Sequence, residues 1–217
     1  MSAMFDAISE KVKAMTAESG TKSNRGFMLW IDGVGAWMAC LNSETTIGGP
    51  TFDKQPADIS LMANISRIHA TISRSDDSWS LLAHSDTKVG DRNIESKTSL
   101  RRDAKITLGN SVELGFRVPT ALSTTAVLDF VSEHRPAQSV DGIVLIHENC
   151  LLGPGPENHI VCPGWPDTLV LFQRDGKWRC KSRMNLAVDG NIVTDSHEIQ
   201  AGSMITGDEI RLRIESL

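Results

Sequence analysis

Ser66, Arg67 and His69 bring a hydroxyl, a guanidinium and an imidazole together inside the stretch Asn64-Ile65-Ser66-Arg67-Ile68-His69-Ala70-Thr71-Ile72. A fixed hydroxyl and a guanidinium can both donate hydrogen bonds to an anion, the guanidinium with the added strength of its charge. From His69 to Ser73 the residues alternate with the period of a half-buried strand. Ser66 and Arg67 are therefore expected in the loop that feeds this strand. Loops held by a rigid sheet are where recognition residues concentrate.

No other constellation competes with this one. Cys40, Cys150, Cys162 and Cys180 contain no C-x-x-C pair, and the scattered histidines form no H-E-x-x-H cluster, so neither a metal nor another cofactor is expected. The cysteines read as small buried hydrophobes in a reducing compartment. Gly33-Val34-Gly35 and Gly153-Pro154-Gly155 lack the lysine of a phosphate-binding loop, and no G-x-S-x-G occurs, so the chain is not expected to be an enzyme. A net charge of -5 argues against a general affinity for nucleic acid or anionic membranes. No apolar run approaches the roughly 20 residues of a membrane span, and the first residues lack the apolar core of a signal peptide. A soluble cytoplasmic protein is expected.

The elements that must position these residues are strands. Phe5, Ile8, Val12 and Met15 recur at helical spacing before Gly20, so an amphipathic helix and a polar linker are expected over residues 1–25. From Gly26 onward short apolar runs such as Phe27 to Ile31, Trp37 to Leu41 and Trp79 to Ala83 are punctuated by turn residues, which describes an antiparallel sandwich. A polar interruption at 119–125 is followed by the same pattern. Ile47-Gly48-Gly49 matches Leu152-Gly153-Pro154, Trp79 matches Trp178, and Val112-x-Leu114-x-Phe116 matches Ile210-x-Leu212-x-Ile214. Two related all-β domains are expected, over 26–118 and 126–217.

The first repeat resembles the forkhead-associated (FHA) family. The features that carry the resemblance are the glycine turn Ile47-Gly48-Gly49, the S-R-x-H motif Ser66-Arg67-Ile68-His69, the turn Val89-Gly90-Asp91 and a closing strand after Leu108-Gly109. The resemblance implies a β-sandwich that binds phosphothreonine peptides through loops at one end, in a signalling adaptor whose partners are phosphorylated proteins. It implies that Ser66 and Arg67 contact the phosphate and that His69 braces the loop. A phosphate carries between one and two negative charges and three strong acceptor oxygens, which suits such donors.

Two positions depart from the family pattern. Gly49 stands where an arginine usually contacts the peptide. Ser85-Asp86-Thr87-Lys88-Val89 runs into Gly90-Asp91 without the asparagine that usually holds the peptide backbone. Lys54, Lys88 and Arg92 are the candidates to replace the missing cation. Ser66 and Arg67 therefore have two readings, an operating phosphate-binding pair or a turn with Arg67 in a local ion pair. In the second repeat the motif is replaced by Trp165, Pro166 and Thr168. The alternative function is a phosphate-independent assembly module that binds through strand edges, the proline-rich loop around Trp165 or the N-terminal helix. Arg101-Arg102 reads as a solvated turn or as a basic rim.

Overall fold

The computed structural model describes residues 25–52 and 55–217. The helix expected near the N-terminus and the candidate Lys54 lie outside the described residues. Every regular element described is a strand. The first half contains β1 (Gly26–Ile31), β2 (Gly35–Cys40), β3 (Glu44–Gly48), β4 (Ile59–Ser60), β5 (Ala70–Ser75) and β6 (Ser78–Ala83). It continues with β7 (Thr87–Val89), β8 (Arg92–Asn93), β9 (Thr98–Leu100), β10 (Ala104–Leu108) and β11 (Val112–Arg117). The second half contains β12 (Ala126–Phe130), β13 (Gly142–Leu145), β14 (Asn149–Gly153), β15 (Ile160–Val161), β16 (Leu169–Arg174) and β17 (Lys177–Lys181). It ends with β18 (Leu186–Val188), β19 (Asn191–Ile192), β20 (His197–Glu198), β21 (Met204–Gly207) and β22 (Arg211–Ser216).

These strands form one twelve-stranded sheet and two five-stranded sheets. The large sheet runs β19-β18-β21-β22-β1-β2-β13-β12-β11-β10-β7-β8, and the small ones run β4-β3-β5-β6-β9 and β15-β14-β16-β17-β20. Shifting every strand number by eleven turns the large sheet into its own reverse and exchanges the small sheets. The centre of the large sheet departs from a simple tandem. β1 pairs with β22, at the far end of the chain, and β12 pairs with β11. β2 and β13 join the two hairpins by a parallel ladder, Trp37 opposite Gly142 through Cys40 opposite Leu145. Each half thus gives its first hairpin to the sheet of the other.

Side-chain alternation explains why this arrangement is stable. Phe27, Leu29, Ile31, Trp37 and Ala39 enter the core beneath the second small sheet, whereas Met28, Ala36, Met38 and Cys40 enter the core beneath the first. The exchanged strands are buried on both faces, so their near-continuous apolar runs are what such a position requires. Two sandwiches lie back to back on one shared sheet. The segment 119–125, polar enough to read as a linker, is fastened to both halves. Trp79 Nε1 donates to the Thr124 carbonyl at 2.8 Å, and Thr125 Oγ1 donates to the Asn149 carbonyl at 2.6 Å. The strands on either side of it, β11 and β12, are themselves paired.

Candidate functional site

Two glycines let the loop between β4 and β5 fold over the end of β3. The Gly49 N–H donates to the Ser66 carbonyl at 2.9 Å. A Cβ on Gly48 would lie 1.7 Å from the Arg67 carbonyl oxygen, and one on Gly49 would lie 2.5 Å from that of Ile65. Both contacts are with backbone, which cannot swing aside as a long side chain can. Gly49 is therefore more than a missing charge. Any side chain there would displace the loop that carries Ser66.

His69 is buried and uses both ring nitrogens. Nε2 donates to the Asp86 carbonyl at 2.8 Å, and Nδ1 accepts from the Ser66 N–H at 3.2 Å. Those two bonds define a neutral imidazole with its proton on Nε2. The His69 carbonyl accepts from the N–H groups of His84 and Ser85 at 2.9 and 3.2 Å, and the Asp86 carbonyl also accepts from Gly109 at 2.8 Å. The ring and the carbonyl of His69 thereby tie the loops at 61–69 and 84–86 together, and Gly109 joins them through the shared Asp86 carbonyl.

This bracing sets two hydroxyls side by side at the surface. Ser66 Oγ lies 2.6 Å from Ser85 Oγ. The Ser85 carbonyl accepts from the hydroxyl of buried Thr87 at 2.9 Å, which fixes the second loop as well. Arg67 follows Ser66 and is exposed. Ser85 is the residue that motif reading overlooked. It sits nineteen positions from Ser66, and the fold brings the two together.

The two lysine and arginine candidates beyond the loop are placed differently. Thr87 and Val89 face the core, so Lys88 between them is on the outer face of the sheet, where it is exposed. Arg92 is opposite Val89 across the β7–β8 turn and lines a groove of about 660 Å³ with Arg101 and Lys105. No residue of the 61–69 loop lines that groove. Ser66, Arg67, His69 and Gly49 thus share one loop end, while Lys88 and Arg92 belong to the neighbouring hairpin.

At the equivalent place in the second half, Trp165, Pro166 and Thr168 precede β16 as Ser66, Arg67 and His69 precede β5. Trp165 is buried in the core of its own half. Thr168 Oγ1 points to Asn158 Oδ1 at 3.3 Å. The proline-rich loop considered as a contact surface therefore does not present its tryptophan to solvent. The ring is a plug.

No protein-family model matches the chain, and no curated protein matches it. Among solved structures it is similar to the N-terminal FHA domain from EssC, a component of the bacterial Type VII secretion apparatus. The identity is 12%, the match covers 88% of this chain and 95% of that one, and the TM-score is 0.24.

Proposed function

We propose that the chain is a non-enzymatic protein-interaction module of forkhead-associated type whose first half reads phosphothreonine in a partner protein. The observation that carries this reading is the Ser66–Ser85 hydroxyl pair, held at the surface by buried, neutral His69. A phosphate entering there replaces the hydroxyl–hydroxyl contact with two donors directed at its oxygens, and the Arg67 guanidinium adds charge. Because the loops are fixed beforehand, little ordering entropy is lost on binding. Both nitrogens of His69 are already engaged, so it serves position rather than proton transfer. The free, buried thiols Cys40, Cys150, Cys162 and Cys180 accord with a reducing, cytoplasmic setting.

The glycine at position 49 limits the affinity. Losing one charge-assisted partner costs about 1.5–3 kcal/mol, which weakens binding by roughly one to two orders of magnitude. The test is a titration of the full chain with a phosphothreonine peptide and its unphosphorylated twin, repeated with Ser66→Ala. Weak, phosphate-dependent binding that Ser66→Ala reduces roughly tenfold is expected. Equal affinity for the two peptides would overturn the reading.

A further inference from the structure

The hairpins exchanged between the halves differ at their tips. β1 and β2 are joined by residues 32–34 alone, whereas β12 and β13 are joined by residues 131–141. The longer tip belongs to the second half and lies against the first. Its Arg135 carbonyl accepts from the Met62 N–H at 2.8 Å, and Pro136 forms an antiparallel bridge with Leu61. Those contacts fall where the loop bearing Ser66 leaves β4.

The tip is itself closely tied. Arg135 lies over the Phe130 ring with its guanidinium carbon 4.6 Å from the centroid. Arg135 Nη1 donates to the carbonyls of Ser132 and His134 at 2.5 and 3.0 Å. Ser132 is bound back to the first half, since the Glu113 N–H donates to Ser132 Oγ at 3.0 Å and the Ser132 N–H donates to the Glu113 carbonyl at 3.1 Å. At the base of the tip, Asp141 exchanges bonds with Ala36: its N–H donates to the Ala36 carbonyl at 2.7 Å, and its carboxylate accepts from the Ala36 N–H at 2.8 Å. A cation stacked on an aromatic ring while donating to two carbonyls closes the turn without needing an ion-pair partner.

We infer that the 131–136 tip of the second half is part of the first half's recognition loop, with Arg135 as the positioning residue that holds residues 61–66 in register. The inference rests on the proposed phosphothreonine reading for its effect on affinity, and on the Met62 and Leu61 contacts alone for its structural claim. It also assigns a task to the half that lacks the motif. The second half does not read phosphate; it supplies the strands and the tip against which the reader is built. The matching loop in the second half, closed by Trp165, receives no such tip among the described residues.

Amide hydrogen exchange on the full chain tests this without a ligand. Arg135→Ala is expected to speed exchange at Met62 and Ser66 roughly tenfold, the factor carried by about 1.4 kcal/mol, and to leave β16 and β17 unchanged. Arg135→Lys keeps a cation over Phe130 and is expected to restore part of the protection. Phosphothreonine peptide affinity should fall in the same order, Arg135→Ala more than Arg135→Lys, with Ser66 intact. Unchanged exchange at Met62 and Ser66 in Arg135→Ala overturns the inference whatever the peptide does. Faster exchange there, in a protein that never binds phosphopeptide, upholds the inference and removes the phosphothreonine reading instead. If Arg135→Ala speeds exchange equally in β16 and β17, its role is general stability and the inference fails.

Discussion

The loops before β5 and before β16 are equivalent in topology and opposite in construction. One is polar and open, with Ser66 beside Ser85 at the surface and buried His69 beneath. The other is sealed by Trp165, which is 4% exposed. A loop whose hydroxyls face solvent must be held by other contacts, here those of His69 beneath it and of the 131–136 tip. A loop that folds its own tryptophan inward is fixed by burial and turns that side chain away from any ligand. On the proposed reading, the same sandwich serves as a reader in one half and as a support in the other.

The largest effect expected from this comparison is on stability. Trp165→Ala should cost about 3–5 kcal/mol in chemical denaturation, the usual loss for a large buried aromatic. A loss below about 1 kcal/mol would mean that the ring is not a plug.

A second contrast concerns the residues just before β4 and β15. Asp58 accepts from the Thr46 N–H at 2.9 Å, and His159 Nδ1 accepts from the Leu151 N–H at 2.9 Å. His159 is fully buried, and its pKa is held down to about 4, chiefly by burial and secondarily by the Arg117 charge, with the Thr125 backbone opposing. The folded value is below the unfolded one, so the unfolded chain binds the proton first as pH falls. This contribution is complete above about pH 6.5 and is lost as pH falls through about 4, on the order of 3 kcal/mol in all. His159→Gln should flatten the stability profile over that window in acid denaturation. An unchanged slope would show that the acid sensitivity resides elsewhere.

The glycines closing each turn should separate the halves again, by a smaller margin. Gly48→Ala drives a Cβ into the Arg67 carbonyl, whereas Gly153→Ala meets the Thr168 hydroxyl at 2.7 Å, a side-chain atom that can rotate away. Melting curves should show Gly48→Ala costing about 1–3 kcal/mol and Gly153→Ala less. The smallest effect belongs to Ser66→Ala. It should change stability by no more than about 0.5 kcal/mol while reducing phosphopeptide binding, since its side chain serves the surface rather than the core.

Much of this contrast was legible in residue patterns, and the remainder depended on tertiary placement. The strand runs and the loop position of Ser66 follow from alternation and turn chemistry. The replacement of the motif by Trp165 and Pro166 follows from aligning the halves. The hairpin exchange does not, because β1–β2 and β12–β13 bury comparable apolar runs wherever they pair. The unbroken hydrophobicity of Phe27-Met28-Leu29 was a sign of burial on both faces, but not of the partner strand. Ser85 escaped notice because it meets Ser66 only across the fold, nineteen positions away along the chain. Arg92 looked near the site in sequence, yet the β7–β8 turn places it in a separate groove.

The central claim is that phosphate recognition belongs to one loop end of the first half. It is tested most directly by following backbone amide and tryptophan indole resonances of the full chain while a phosphothreonine peptide is added. The account predicts shifts at 63–69 and 84–87 and none at 163–168, with the unphosphorylated peptide leaving all of them in place. Shifts of equal size around Trp165, or none at Ser66 and Ser85 at saturating peptide, would contradict it.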